Sequence, residues 1–193
     1  AAGCISFYPG KNLGAYGEAG AVITDDEDLY SRMLALRDHG SSKKYYHDNI
    51  GHNYRMEGIQ GAVLDVKLKY LHRWTEKRRY NAALYNDYLR EAKEVILPLE
   101  MPGVEHVYHL YVIKTSKRDK LMKFLNSKEI STGIHYPIPC HLQKAYDFIG
   151  LSPGELPVSE KNAHEILSLP MYAELTEVQI QFICEKIVEF WKS

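Results

Sequence analysis

Cysteine is scarce in this chain: Cys4, Cys140 and Cys184 are odd in number and far apart. That spacing excludes a disulfide framework and a Cys-x-x-Cys metal site, so no metal is expected, and it points to a reducing, cytoplasmic setting. Long apolar runs are missing too. None approaches the roughly 20 residues of a membrane-spanning helix, and no basic stretch followed by an apolar core opens the chain, so neither a membrane segment nor an export signal is expected. An excess of one charge is also lacking. Lys and Arg number 24 against 25 Asp and Glu, a formal net charge of −1, whereas a nucleic-acid surface needs clustered cations. The densest basic runs, Lys43-Lys44 and Lys77-Arg78-Arg79, have acidic or polar neighbours and read as solvated loop and helix surface. Finally, no initiator Met precedes Ala1-Ala2-Gly3-Cys4-Ile5-Ser6, which reads like the middle of a folded unit. The expectation is a cut chain.

What is present is an ordinary globular composition, 45% apolar and 25% charged over 193 residues, long enough for one large domain or two small ones. Residues 1–20 are rich in glycine and turns, and Ala21-Val22-Ile23 reads as a short buried strand. Thr24-Asp25-Asp26-Glu27 has capping-box spacing ahead of Leu29, Met33 and Leu36, a helix that Gly40 stops. After a polar loop over 41–52, the 3-4-3-4 spacing of Met56, Ile59, Val63, Val66 and Tyr70 marks a long amphipathic helix whose apolar face must be covered by another layer or by a partner. A further helix over 75–92 carries Tyr85, Tyr88 and Leu89 inward. Beyond Lys93 the pattern changes: strands over 95–97, 107–113 and 131–136, and helices opening at Ser116, around 142–149, over 159–167 and over 176–191. The fold class expected is α/β, with residues 1–93 part of a larger layered domain and residues 94–193 a small α+β domain. No internal repeat or low-complexity tract is visible.

The most informative segment is Ser6-Phe7-Tyr8-Pro9-Gly10-Lys11-Asn12-Leu13-Gly14. It sets one lysine in a glycine-flanked turn just before a strand. A lysine desolvated in such a turn can lose its proton near neutral pH and attack a carbonyl carbon. These residues by themselves fit a solvated lysine in a flexible loop better than a reactive one. A phosphate-cradling Walker loop is excluded by spacing, because Gly3 lies seven positions before Gly10 and Asn12 stands where Ser or Thr would bind magnesium.

That segment, with Gly17-Glu18-Ala19-Gly20-Ala21-Val22, resembles the lysine segment of the sugar aminotransferases of the DegT/DnrJ/EryC1/StrS family, within fold type I of the pyridoxal-phosphate (PLP) enzymes. Further matches follow in family order: Leu36-Arg37-Asp38-His39-Gly40, Gly51-His52-Asn53-Tyr54-Arg55-Met56, Ile59-Gln60, His109-Leu110-Tyr111, Gly133-Ile134-His135-Tyr136-Pro137 and Leu167-Ser168-Leu169-Pro170. The resemblance implies that the chain is the C-terminal part of the PLP-binding large domain followed by the small C-terminal domain. By the same resemblance Lys11 is the lysine that bonds PLP and shuttles the proton, Ser6 hydrogen-bonds the cofactor phosphate, and Asn53 reaches that phosphate from the neighbouring subunit of a homodimer. Arg55, His135 and Tyr136 match positions that face the substrate, again from the partner, and His141 and Gln143 are candidates to line its approach. Taken apart from the family, Asn53 reads equally as a loop amide, Arg55 as a helix-end salt bridge, and His135-Tyr136 as a strand end packed on prolines. The implied reaction moves an amino group, from glutamate, to a keto-sugar nucleotide, with wording closer to members acting at the sugar 3-position. Relatives with His in place of the lysine perform dehydration, so Lys11 keeps the transaminase reading. The missing N-terminal half would supply the acidic partner of the pyridine nitrogen, the ring-stacking aromatic and the phosphate-binding amides. A second reading belongs to another class: a non-catalytic domain whose apolar helix faces dimerise or dock a partner.

Overall fold

The computed structural model describes residues 1–192. Its contacts divide the chain into two compact units, Ala1–Arg73 and Trp74–Ser193. Among the described residues no helix is long and apolar enough to cross a membrane.

In the first unit, β1 (Ala2–Ser6) and β2 (Gly20–Thr24) pair antiparallel, with Gly3 opposite Ile23 and Ser6 opposite Gly20. The β2 strand forms where Ala21-Val22-Ile23 predicts it, but it is not buried: Val22 and Ile23 are 48% and 60% exposed. Alternate side chains of a strand point to opposite faces, and a two-stranded sheet leaves much of both faces open. Helix α1 (Glu27–Arg37) follows. Its cap is Asp26, whose carboxylate accepts from Leu29 N–H at 2.9 Å. Thr24 instead closes the preceding turn, accepting from Asp26 N–H at 3.2 Å. Gly40 ends the helix as expected, at φ +73°, with its N–H on Ala35 O at 2.8 Å. Only glycine adopts this conformation without strain.

The polar stretch after Gly40 is not a plain loop. It folds into a small hairpin, β3 (Ser41–Lys43) against β4 (Tyr46–His47). The backbones of Gly40 and Gly51 meet at its base: a Cβ on Gly51 would lie 1.9 Å from Gly40 N. Helix α2 (Gly58–Leu68) is shorter than the periodicity predicts, with Met56 ahead of it and Tyr70 beyond it. Leu64 is its buried residue, while Ile59, Val66 and Leu68 stay exposed.

The second unit holds the core. Helix α3 (Leu71–Tyr88), whose first residues precede the division, buries Ala82, Tyr85 and the following Leu89. They pack into one cluster with Tyr111 and Ile113 of β5 (Tyr111–Lys114), Leu121 and Leu125 of α4 (Arg118–Ser127), Leu167 and Leu169 of β6 (Ile166–Leu169), and Ile180, Ile183 and Ile187 of α6 (Glu177–Lys192). Through this packing the inward face of α3 belongs to the cluster of β5 and β6. Strands β5 and β6 run antiparallel, Tyr111 opposite Leu169 and Lys114 opposite Ile166. Residues 166–167, read as the end of a helix, are therefore strand, and α5 (Pro157–Glu165) stops before them.

The expected strand over 131–136 reduces to one bridge, Gly133 with Ser168, because Pro137 and Pro139 have no N–H to continue a ladder. Residues 140–149 form two 3-10 turns in place of a helix. At α4 the expected Ser116 cap is replaced by Lys117, which makes no side-chain cap bond. In the basic run on α3 Lys77 is exposed as expected, but Arg78 and Arg79 are half-buried. Arg78 donates to Met171 O at 2.9 Å and to Tyr108 O at 3.2 Å, and Arg79 pairs with Glu100 at 2.8 Å. Burial pulls the Arg78 guanidinium below its usual range. Three carbonyl acceptors hold it in place of water.

Candidate functional site

The connection between β1 and β2 carries the lysine. Pro9-Gly10 occupy the centre of a four-residue turn closed by Lys11 N–H on Tyr8 O at 2.8 Å, a position that suits proline because its φ is preset. Phe7 N–H on Ala19 O and Ala15 N–H on Phe7 O fold the connection back on itself. Gly14 is required there: a Cβ would fall 2.3 Å from Pro9 O. Helix α2 then clamps the returning strand of the loop. Gln60 Oε1 accepts from Tyr16 N–H at 2.8 Å, and Lys67 Nζ donates to Gly14 O and lies 5.4 Å above the Tyr16 ring. Lys11 itself is half-buried. Ser6 closes β1, and its Oγ accepts from Tyr8 N–H at 3.3 Å, so Ser6 and Lys11 sit on one tightly hydrogen-bonded connection. The roles of Gln60 and Lys67 escaped the sequence reading. Their signal is a seven-residue spacing, two turns apart on one helix face.

Asn53 and Arg55 lie together on the segment before α2, paired to the end of α1. Asn53 bridges to Asp38, Tyr54 N–H donates to Arg37 O at 3.0 Å, and the Arg55 guanidinium forms an ion pair with Asp38. The His52 and Tyr54 rings stack at 4.6 Å. A mostly apolar groove of about 750 Å³ opens beside this segment, lined by Cys4, Val22, Met33, Arg37, His52 and Tyr54 among others.

In the second unit His135 Nδ1 lies 2.9 Å from Ser168 Oγ, and the His135 and Tyr136 rings meet edge to face at 5.5 Å. Tyr136 is 69% exposed. His141, considered for the approach to the site, is instead buried, with Nε2 3.1 Å from Glu160 Oε1. Glu160 also accepts from Gly154 N–H at 2.9 Å and Leu156 N–H at 3.2 Å. These bonds, the Gly154 N–H foremost, hold the Glu160 carboxyl below the usual glutamate range against the opposing effect of burial. A depressed carboxylate contributes stability that is present above its unfolded pKa and lost as pH falls through the folded value. Thermal unfolding scanned from pH 7 downward should therefore show Glu160→Gln less stable at pH 7. Its disadvantage should shrink below about pH 4.3, the ordinary glutamate value.

A family model described as the DegT/DnrJ/EryC1/StrS aminotransferase family matches residues 1–188. The chain belongs to that family. The DegT/DnrJ/EryC1/StrS enzymes are PLP-dependent sugar aminotransferases, and this member is 47% identical over 99% of its length to a "Pleiotropic regulatory protein" of Geobacillus stearothermophilus, covering 52% of it. It is 39% identical to the dTDP-3-amino-3,4,6-trideoxy-alpha-D-glucose transaminase of Streptomyces venezuelae, over 96% of the chain and 49% of that protein. Its whole length superposes on the crystal structure of S. venezuelae DesV with a TM-score of 0.94 at 38% identity, covering 52% of that chain. NtdA of Bacillus subtilis, solved with bound PMP, matches all of the chain and 46% of its own with a TM-score of 0.84 at 30% identity. The fold is thus the mixed α/β fold of the PLP-dependent aminotransferases, in part: the chain spans about half the length of the relatives it matches.

Proposed function

We propose that this chain is the C-terminal half of a PLP-dependent aminotransferase that moves an amino group from glutamate to the 3-position of a keto-sugar nucleotide, in amino-sugar biosynthesis. The observation that carries the reading is a half-buried lysine whose turn is pinned by Tyr8 O, in a chain of this family. The names of relatives support the finer points. One is a UDP-N-acetyl-3-dehydro-alpha-D-glucosamine 3-aminotransferase of Acidithiobacillus ferrooxidans, and another is a 3-oxo-glucose-6-phosphate:glutamate aminotransferase of Bacillus subtilis.

The residues of the β1–β2 connection fit PLP in part. Lys11 offers an amine, and Ser6 Oγ, which accepts from Tyr8 N–H, keeps its own proton to donate to a phosphate oxygen. When bound, PLP supplies an electron sink for the charge left on carbon when a C–H bond breaks. Lys11 Nζ takes the proton from the carbon that carries the donor's amine and delivers a proton to the sugar carbon in the reverse half of the cycle. Asn53 would reach the phosphate of the neighbouring subunit, with the exposed apolar residues of α2 suited to a homodimer interface. Arg55 would release Asp38 or hold the substrate through its remaining donors. His135 and Tyr136 would bind the sugar nucleotide.

The groups that would pair the pyridine nitrogen and stack on the ring belong, in this reading, to the other half of the fold. The 193-residue chain mixed with PLP should therefore give no stable, stoichiometric absorbance that borohydride abolishes. In the protein assembled with that other half, borohydride should fix the cofactor on the peptide that contains Lys11. Label found on another lysine defeats the assignment.

A further inference from the structure

Ser168 lies in the middle of β6, buried to 4% exposure, and its backbone is used on both sides. It is opposite Val112 of β5, and it exchanges two hydrogen bonds with Gly133, Ser168 N–H on Gly133 O at 2.8 Å and Gly133 N–H on Ser168 O at 3.0 Å. Its side chain is therefore held by strands that cannot shift without breaking the ladder. The Oγ is 2.9 Å from His135 Nδ1. A hydroxyl carries one proton, and among the described residues His135 Nδ1 is the acceptor within its reach. If His135 donated from Nδ1 instead, the hydroxyl proton would be buried without an acceptor, which native interiors avoid. Gly133 completes the seat, since a Cβ there would press to 2.7 Å on His135 Cε1.

We infer that Ser168 is a positioning residue that donates to His135 Nδ1 and so fixes the neutral imidazole as the Nε2–H tautomer. With Nδ1 occupied, the opposite edge of the ring presents an N–H donor and no lone pair. His135 then serves as a hydrogen-bond donor to an oxygen of the substrate and not as a general base. That assignment of a ligand rests on the substrate-facing role proposed above, whereas the tautomer rests on Ser168 and Gly133 alone.

Long-range ¹H–¹⁵N spectra of the imidazoles, recorded on the whole chain at pH 8 where an ordinary histidine is neutral, test both parts. His135 should show Nδ1 in the unprotonated range and Nε2 in the N–H range. The reversed pattern overturns the proposal without any variant. Ser168→Ala should give a mixture of tautomers, and Ser168→Thr, which restores the hydroxyl, should return the single form. A Ser168→Ala chain that keeps the wild-type pattern also overturns it. Titration with dTDP-glucose of the protein assembled with the other half of its fold, which completes the proposed site, separates the two readings. A shift of the Nε2–H signal that is lost in Ser168→Ala supports both. A correct tautomer that does not respond to the sugar nucleotide overturns the ligand-donor role of His135 and leaves the positioning role of Ser168 standing.

Discussion

Lys11→Ala is expected to abolish transamination in the protein assembled with the other half of its fold, while leaving its folding and assembly intact. The proton-transfer contribution alone predicts a loss of about 10²–10⁴-fold in kcat, and the loss of the covalent attachment of the cofactor adds to it. Folding should survive because the connection is held by bonds that do not use the Lys11 side chain: Tyr8 O on Lys11 N–H, Phe7 with Ala19 and Ala15, and the clamp of Gln60 and Lys67 from α2. Lys11→Arg is the sharper control. It keeps length and charge, but a guanidinium that does not deprotonate can neither attack a carbonyl nor carry the proton, so it should fail as completely as alanine. The readouts are amino-sugar formation, the cofactor absorbance, and oligomeric state by light scattering. Unchanged activity would leave only the reading of a non-catalytic interaction domain, which the exposed Ile59, Val66 and Leu68 of α2 would then explain.

The second large effect is on stability. Tyr85 is fully buried at the centre of the second unit, stacked on Tyr111 at 4.7 Å, with its hydroxyl donating to Pro170 O at 2.9 Å. Burial pushes the phenol well above its usual range, so it stays a neutral donor. Tyr85→Ala removes a large aromatic from a packed core and should cost about 3–5 kcal/mol. Tyr85→Phe keeps the ring but leaves the Pro170 carbonyl without its donor, at about 1–3 kcal/mol. Urea unfolding followed by far-UV circular dichroism measures both. Near-equal effects of the two substitutions would mean that the hydrogen bond, and not the packing, dominates. The residue also ties α3 to the end of β6, two positions after Ser168, so Tyr85→Ala should broaden the His135 signals.

Much of the fold was legible because it is written in local spacing. Ile180, Ile183 and Ile187 recur at helical intervals and are the buried stripe of α6. Cys184 falls on the same stripe, and burial pushes its thiol up to about 12. The glycine-flanked turn set Lys11 ahead of a strand, and β2 follows it, whereas β1 lies in a stretch that reads as turns. What was misread depends on partners distant in the chain. Ile166-Leu167-Ser168-Leu169 has no strand alternation of its own, and it becomes β6 because β5 pairs along its length. The hairpin of β3 and β4 was hidden in polar residues that bury little. Arg78 and Arg79 read as surface until Met171, Tyr108 and Glu100 are brought to them.

The candidate site divides the same way. Residue order alone placed the chain in its family, set Lys11 in a glycine-flanked turn and named Ser6, Asn53, Arg55, His135 and Tyr136, because turn chemistry and motif order survive without coordinates. Tertiary structure alone decided which side chain each of them meets: Arg55 on Asp38, His135 on Ser168, His141 withdrawn to Glu160. The reason is physical. Backbone preference acts over a few residues, whereas the partner of a hydrogen-bonding side chain is settled only when elements far apart in sequence pack and exclude the water that would otherwise serve.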